Sequence, residues 1–391
     1  MVRLGGLIEQ IRGVSYKPED VYDKLDENSV ILLRANNIKD GQLNFDDVVY
    51  VDKKRVRDNQ LLKAGDVLIC TSSGSKELVG KAAYVREDLP MTFGAFCKVV
   101  RPQKIHPNYL GHFFNSPNYR QKISDSSAGA NINNIRNEHI DELEILLPTA
   151  ERQKYIAIVL DKLTGLISLR KQQLAKLDEL VKARFMEMFG DPEYNNRNLP
   201  IYKLSDLCEV GSSKRIYQNE QSSDGVPFLR VSDLVNRIDK GIESCELFIP
   251  SEKYKELCSQ KLVPYQGDIL VTSRGTLGKC YIVKDTDKFY FQDGMISWLS
   301  NFDKRITSVY ISSLFSMSGF QKQITSLQSG STIAYLSISM LKKLNIMLPT
   351  LQSQQQFVDF VEQVNLFGLT IQQSLDKLEV LRKSLMQEYF G

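Results

Sequence analysis

The sequence predicts an α+β protein in which two mixed α/β globules are joined by two long helices that pair as an antiparallel coiled coil. One observation is an unbroken helical pattern that starts after Pro148 and stops at Gly190. A second is the return of this pattern 201 residues later, ending at Gly391. A third is that the segments before the two helices carry matching motifs in the same order. We therefore predict the order globule–helix–globule–helix, with an internal pseudo-two-fold repeat.

The first long helix has an apolar seam of the kind found in coiled coils. Thr149 fits an N-cap, and Gly190 followed by Pro192 is typical of a helix end. A helix of this length extends about 55–60 Å and cannot bury its own seam, so it needs a partner. Its seam residues, spaced by three, four or seven, are Leu160, Leu163, Ile167, Leu174, Leu177, Val181 and Met188.

The second long helix follows Pro349 and supplies that partner. Between Leu143–Gly190 and Leu344–Gly391, roughly 15 of 48 aligned positions are identical without a gap. Arg170, Arg184, Gly368 and Arg382 interrupt the two seams, and the seam of the second helix is Val361, Val364, Ile371, Leu375, Leu378, Leu385 and Tyr389. The predicted domains are a first globule (1–145), a central helix (146–190), a second globule (191–346) and a C-terminal helix (347–391).

Each globule is predicted to contain short strands between Gly, Asp and Asn turns. In the first, the strand-like runs are Val30–Leu33, Val48–Val51, Val67–Cys70 and Ala95–Val100, and a helix and turn are expected from Pro107 to Tyr119. The matched landmarks are Arg34–Ile38 with Arg230–Leu234, Gly65–Ser72 with Gly267–Arg274, Gly80-Lys81 with Gly278-Lys279, and Ser127–Ala130 with Gln328–Ser331. The helices have stayed similar while the globules have diverged. This contrast suits a protein that docks two copies of one partner and reads two unlike halves of one target.

Composition places few limits on function. The chain has 391 residues, 42% of them hydrophobic, and a net charge of +3, which neither requires nor excludes nucleic acid. Its six cysteines show no CxxC spacing, and no apolar run approaches 18 residues. We expect a soluble cytoplasmic protein with reduced cysteines.

The motifs that resemble catalytic sites fail on spacing. Gly74–Lys81 resembles a phosphate-binding loop but has one residue too many between its glycines and no Ser or Thr after the lysine. The segment 191–194 faintly resembles an amino-methyltransferase motif but follows a helix, where a helix stop is the simpler interpretation. The three histidines, His106, His112 and His139, lack accompanying metal ligands. The sequence predicts no catalytic centre and no metal site.

Polar and basic turns recur instead at equivalent places in both globules. Backbone amides in small-residue turns can approach phosphates, an arginine matches guanine, and an asparagine amide, as at Asn134, matches adenine. For each residue alone, a solvated turn or a structural salt bridge is the competing interpretation. The candidate DNA contacts are Arg34, Asn36, Ser73, Ser75, Lys76, Asn131, Asn133 and Arg136 in the first globule, and Lys214, Arg230, Ser273, Arg274, Thr276, Lys279, Ser331, Thr332 and Tyr335 in the second.

Over nearly its whole length the sequence resembles the DNA-specificity subunits of type I restriction–modification systems. The resemblance is carried by Gly267–Lys279, by Ser329–Ile333, and by Leu344–Pro349 with its twin Leu143–Pro148. Two features depart from the family pattern. Arg152 and Ser353 stand where a Glu usually precedes the retained Gln153 and Gln354, and the first-globule turn has Ser73 in place of an arginine like Arg274.

The resemblance implies two target-recognition domains that each read half of a bipartite double-stranded DNA site. It implies that the helices act as a spacer, and about 55 Å is roughly one and a half turns of B-DNA. It also implies docking of two methyltransferase (modification) subunits and of restriction subunits. S-adenosylmethionine, ATP and magnesium would then belong to those partners, with no cofactor bound by this chain. A self-contained DNA-modifying enzyme and a protein-binding scaffold are the alternatives.

Overall fold

The computed structural model describes residues 1–74, 78–127, 134–327 and 335–391. These form two compact units, a first unit of Met1–Gln172 with Gln372–Gly391 and a second unit of Gln173–Ile371. The division falls inside both long helices. Each unit therefore contains a globule together with part of each helix.

The first unit contains two four-stranded sheets. One has the order β10-β4-β7-β3 and the other β2-β11-β8-β9. The β4–β10 pair is parallel, whereas the other pairs in these two sheets are antiparallel. The strands are β1 (Val2–Arg3), β2 (Ile8–Arg12), β3 (Val21–Tyr22), β4 (Ser29–Leu33), β5 (Ile38–Lys39), β6 (Gln42–Leu43), β7 (Val49–Asp52), β8 (Val67–Cys70), β9 (Ala82–Tyr84), β10 (Met91–Phe93), β11 (Cys97–Pro102) and β12 (Glu144–Ile145).

The predicted strands agree with this unit except at the start of β11. The chain at residues 94–96 forms a turn, closed by a 2.8 Å hydrogen bond from the Cys97 N–H to the Gly94 carbonyl. The predicted helix and turn after Pro107 are present, as a helix over Pro107–Phe113 and a turn at residues 114–116, and Pro117 starts a further helix. The helices that begin in this unit are α1 (Pro107–Phe113), α2 (Pro117–Ser127), α3 (Asn137–Asp141) and α4 (Ala150–Phe189).

The second unit repeats this plan with β14-β20-β17-β18 as its four-stranded sheet and β16-β15-β19 as a three-stranded one. Its parallel pair is β15–β19. The strands are β13 (Ile201–Lys203), β14 (Glu209–Ser212), β15 (Val226–Leu229), β16 (Phe248–Ile249), β17 (Ile269–Thr272), β18 (Cys280–Ile282), β19 (Tyr290–Phe291), β20 (Ile296–Ser300) and β21 (Asn345–Met347). The helices are α5 (Val231–Lys240), α6 (Ser251–Ser259), α7 (Ser308–Ser316), α8 (Ser318–Ser326), α9 (Ile338–Lys342) and α10 (Leu351–Phe390).

The 201-residue repeat persists in buried contacts. The Tyr109 hydroxyl donates to the Leu146 carbonyl at 2.9 Å, and the Tyr310 hydroxyl donates to the Met347 carbonyl at 2.7 Å. Both tyrosines are fully buried. A buried hydroxyl needs a partner, and the two units satisfy it in the same way.

Each long helix is 40 residues long and ends as expected. Thr149 Oγ1 accepts the Arg152 N–H at 3.3 Å, which confirms the predicted N-cap. At the other end, Gly190 adopts φ 79°, where a Cβ would collide with Asn196. Glycine is therefore required at this stop.

The helices pair antiparallel within each unit. In the first unit the beginning of α4 packs on the end of α10, where Leu160 and Tyr389 join one core and Lys171 meets Glu379 at 2.9 Å. In the second unit the end of α4 packs on the beginning of α10, with the Phe185 and Phe357 ring centres 5.6 Å apart. The fold class of two mixed α/β globules with two paired long helices is confirmed.

The seam residues differ in burial along the helices. Leu163, Val364 and Leu375 are buried, and Leu174, Leu177 and Leu378 are half-buried. The helix termini are buried most deeply because they also pack into the globule cores, as Phe185 does. Within the described residues, no helix has an apolar stretch long enough to cross a membrane.

Candidate nucleic-acid interface

In the first unit, the parallel pairing of β4 and β10 brings distant segments of the chain together. Leu33 is aligned with Phe93, and the Gly94 N–H donates to the Leu33 carbonyl at 2.9 Å. Parallel strands end on the same side of a sheet. The residues that follow β4 therefore lie beside the turn that follows β10.

Strand β8 ends at the same place. The N–H groups of Thr71 and Ser72 donate to the Phe96 carbonyl at 2.9 and 3.1 Å. Ser72 also forms a backbone bridge with Asn134, whose side chain is exposed. We call this border the first edge and define it by Arg34, Ser72, Phe96 and Asn134.

The second unit builds the same border from unlike side chains. The Gln292 N–H donates to the Leu229 carbonyl at 3.0 Å, and the Ser273 N–H donates to the Met295 carbonyl at 2.9 Å. Arg274 forms the backbone bridge here, with Tyr335. We call this border the second edge and define it by Arg230, Arg274, Met295 and Tyr335.

These matched hydrogen bonds fix which residues correspond. Ser72 occupies the position of Arg274, as the pairing of Gly65–Ser72 with Gly267–Arg274 predicts, whereas the placement of Ser73 opposite Arg274 was wrong. Ser73 lies 201 residues before Arg274, which is the spacing of the long helices, but the matched bonds show a spacing of 202 at this position. The correction leaves the serine-for-arginine difference between the two units intact.

Arg34 follows β4 and Arg230 follows β15, and carboxylates hold both guanidinium groups. Arg34 pairs with Asp47 at 2.9 Å, and the Asn36 amide donates to the same carboxylate at 2.7 Å. Arg230 pairs with Asp233 at 3.2 Å and with Glu246 at 2.9 Å. Hydrogen bonds to Asp233 and then to Glu246 raise the pKa of Arg230 above its ordinary value.

The turn that carries Arg274 is tightly tied. The Thr272 hydroxyl donates to the Thr276 carbonyl and accepts the Lys279 N–H at 3.0 Å. Arg274 and Thr276 are exposed, and the Arg274 guanidinium lies over the Tyr335 ring. Two candidates from distant parts of the sequence thus form one surface.

Other candidates make contacts within the chain. Lys279 forms a salt bridge with Asp239 of α5. The Ser273 hydroxyl is buried and bonded to Ser297 at 2.7 Å, whereas Ser73 is half-buried and interacts within the chain. The side chain of Lys214 is exposed, while its N–H donates to the Tyr290 hydroxyl at 2.7 Å.

Arg136 is exposed at the start of α3, next to the first edge. The buried ammonium of Lys98 supports this segment by donating to Asn137 at 2.5 Å and to Gln10 at 2.8 Å. Burial lowers the pKa of Lys98, and the charges of Asp141 and Glu138 oppose the shift. The candidates that lie outside the described residues are Ser75, Lys76, Asn131, Asn133, Ser331 and Thr332.

Sequence reasoning missed Phe96 and Met295, and it placed Ser72 in a matched polar turn without naming it among the candidate contacts. Their position depends on the register of β8 with β11 and of β17 with β20, which periodicity does not specify. The described part of the chain contains no group of three His, Cys, Asp or Glu side chains suited to a metal ion. The edges combine cations, amides, hydroxyls and backbone N–H groups, which is the chemistry that contacts phosphates and base edges.

Comparison with known proteins shows a family whose description matches both halves of the chain. Residues 1–179 and 196–380 match the family described as the type I restriction modification DNA specificity domain. The EcoKI specificity subunit of Escherichia coli (strain K12) is 31% identical over 409 aligned positions, covering 97% of this chain and 86% of that protein. The StySPI specificity subunit of Salmonella potsdam is 43% identical over 173 residues, covering 44% of this chain and 37% of that protein.

Solved structures show the same fold. The type I restriction–modification S subunit from M. genitalium aligns with a TM-score of 0.54 at 14% identity, covering 100% of this chain and 95% of that one. A chain from a study of assembly and conformational transition of the type I system also gives 0.54, at 15% identity, with coverage of 100% and 96%. Since the family match recurs in both halves and covers most of the residues, the chain belongs to the DNA specificity subunits of type I restriction–modification systems.

Proposed function

We propose that this chain recognises a bipartite, asymmetric DNA site and directs methyltransferase and restriction subunits to it. The observation that carries the proposal is the pair of equivalent edges with unlike side chains. Ser72 with Asn134 in the first unit stands where Arg274 with Tyr335 stands in the second. Equivalent backbones bearing different donors fit two different short base sequences.

The assignment of roles follows the repeat. The two recognition domains comprise 1–145 and 191–346, and the helical segments 146–190 and 347–391 dock the partners. Because the helices repeat in sequence, they suit two copies of the modification subunit. The partners supply S-adenosylmethionine, ATP and magnesium chemistry in the cytoplasm, and this chain supplies recognition.

The test begins with the full chain assembled with its modification subunits. Sequencing the methylated positions on a random DNA pool defines the site, and binding is then measured on duplexes with one half-site scrambled. We expect each half to contribute separately, with a loss of about 1–3 kcal/mol for each mismatched base pair. Changing the number of base pairs between the halves should also weaken binding, because both units belong to one chain.

The alternatives give different results. A self-contained DNA-modifying enzyme would bind S-adenosylmethionine and modify DNA without the partner subunits. A protein-binding scaffold would show no salt-sensitive affinity for DNA. A chain that contacts DNA phosphates instead has an affinity that falls steeply as the salt concentration rises. A methylation pattern that depends on one half-site only would contradict the bipartite proposal.

A further inference from the structure

An exposed aromatic ring stands in the middle of the first edge. Phe96 is 71% exposed, although burial of a phenylalanine side chain typically contributes about 1.5–3 kcal/mol. It lies between polar neighbours, since the segments of Ser72 and Arg34 adjoin its turn on either side. Core packing therefore does not account for this residue.

The backbone holds Phe96 in a fixed place. Its carbonyl accepts three hydrogen bonds, from the N–H of Thr71 at 2.9 Å, from the N–H of Ser72 at 3.1 Å and from the Thr71 hydroxyl at 3.1 Å. The bond from Cys97 to Gly94 closes the turn behind it. A pre-organised turn loses little conformational entropy when its side chain makes a contact.

The second unit places an apolar residue at the same position. Met295 accepts the equivalent backbone hydrogen bond from Ser273, and its side chain is half-buried. Both units therefore place an apolar residue at the centre of a polar, cationic border, Phe96 in the first unit and Met295 in the second. This arrangement resembles the central apolar anchor and polar rim of a binding surface.

We propose that Phe96 is a specificity-determining residue that makes apolar contact with bases in the half-site read by the first unit. The C5-methyl group of thymine is the feature of a base edge that such a ring fits. This inference rests on the proposed function and extends it from polar donors to an apolar reader. It also gives Phe96 a role different from that of the cations at the edge, because contacts between cations and phosphates carry no sequence information.

The test compares the full chain with its Phe96→Ala and Phe96→Leu variants, each assembled with modification subunits. Tyr194→Ala is the matched control, since Tyr194 is also 71% exposed but lies in the turn that follows α4. Dissociation constants on the cognate duplex are measured over a range of salt concentrations. A second set of duplexes replaces each thymine of one half-site by uracil, which lacks the methyl group.

We expect Phe96→Ala to weaken cognate binding about 5- to 150-fold, the range of one lost base-pair contact. Phe96→Leu should retain part of the affinity, and Tyr194→Ala should retain all of it. The slope of log K against log salt should not change, because no phosphate contact is lost. One uracil position in the first unit's half-site should weaken the wild type and leave Phe96→Ala unaffected.

Unchanged affinity of Phe96→Ala, or a flat uracil scan in the wild type, overturns the inference. A wild-type complex that binds no specific duplex contradicts the proposed function instead, so the two failures are distinguishable. Circular dichroism and co-purification with the modification subunits check that each variant folds and assembles.

Discussion

The guanidinium carbon of Arg274 lies 5.0 Å from the centre of the Tyr335 ring, and the two residues also form a backbone bridge. Stacking on an aromatic face orients a guanidinium and leaves its planar fork of N–H donors available. That fork matches the O6 and N7 acceptors of guanine. The bridge thus presents a fixed donor at the second edge.

We predict that Arg274→Ala weakens specific binding by about 1–3 kcal/mol and relaxes base choice in one half-site only. Selection of bound sequences from a pool randomised in both halves measures this directly. Arg305→Ala is the matched control. Arg305 also lies 5.0 Å from a tyrosine ring, that of Tyr202, but it follows β20 and so lies away from the second edge. Equal relaxation in both halves would contradict two independent reading edges.

A second relationship ties each long helix to its globule. Gln354 is fully buried, accepts the Thr307 N–H at 2.9 Å and donates to the carbonyls of Arg305 and Pro349 at 2.9 and 3.0 Å. In the first unit, Gln153 accepts the His106 N–H at 2.9 Å in the same way. Thr307 and His106 each precede the first residue of a globule helix, so the glutamines join two elements.

Gln354→Ala should lower the free energy of unfolding by about 1–3 kcal/mol or more, because it leaves buried backbone groups without partners. Urea denaturation followed by circular dichroism provides the measurement. The adjacent Gln355→Ala is the control, since Gln355 is exposed and donates to Asp359 one turn along the helix. Its effect should stay within about 0.5 kcal/mol. Similar losses for the two variants would show that the buried hydrogen bonds are not responsible.

The repeat made the long helices and the order of elements predictable from sequence. An ungapped match of this length preserves local spacing, so the caps at Thr149 and Gly190 could be placed to the residue. The retained Gln153 and Gln354 were visible in the sequence as well. Their hydrogen bonds, between Gln153 and His106 and between Gln354 and Thr307, were not. Those bonds join residues 47 positions apart, and spacing along a helix gives no information about them.

The edges were predictable only in part. Arg34, Arg274 and Tyr335 could be singled out from turn composition, because polar residues after strands are exposed. Phe96 could not, since an apolar residue beside a strand is normally predicted to be buried. Its exposure follows from the turn at Gly94 and from the register of β8 with β11. Register is a tertiary property that the composition of one strand does not determine.

The apolar seam allows a test of the pairing between the two long helices. Leu375 is 5% exposed on α10, whereas Val380 on the same helix is 70% exposed. Leu375→Ala should cost about 2–5 kcal/mol of unfolding free energy through lost burial and a residual cavity. Val380→Ala should change it by less than about 0.5 kcal/mol. Equal effects at these two positions, measured by urea denaturation, would mean that the seam does not stabilise the pair.

The last prediction concerns pH and the carboxylate at the start of β17. Asp268 is 8% exposed and accepts the Trp298 indole N–H at 2.9 Å and the Tyr265 N–H at 2.8 Å. Burial raises its pKa above 3.8, and the two hydrogen bonds only partly oppose the shift. Unlike Asp66, which has Arg101 at 2.8 Å in the first unit, it is held by neutral donors.

The sign of the effect follows from proton binding. Between pH 3.8 and the raised pKa, folded Asp268 keeps a proton that the unfolded chain has lost, so stability falls as the pH rises. Asp268→Asn keeps an acceptor but removes the charge. We therefore expect the stability of Asp268→Asn relative to wild type to increase as pH rises through this window and then to level off. Urea titrations at a series of pH values measure the difference.

Asp303→Asn provides a control of opposite sign in the same unit. Hydrogen bonds from the Arg305 guanidinium, followed by one from its backbone N–H, lower the pKa of Asp303 below 3.8. The contribution of this carboxylate is present above pH 3.8 and is lost as the pH falls through the lowered pKa. Relative to wild type, Asp303→Asn should therefore be least stable above pH 3.8 and should recover on acidification. Opposite pKa shifts should give opposite slopes of relative stability against pH for the two variants. Parallel slopes would therefore show that burial of Asp268 does not penalise its charge.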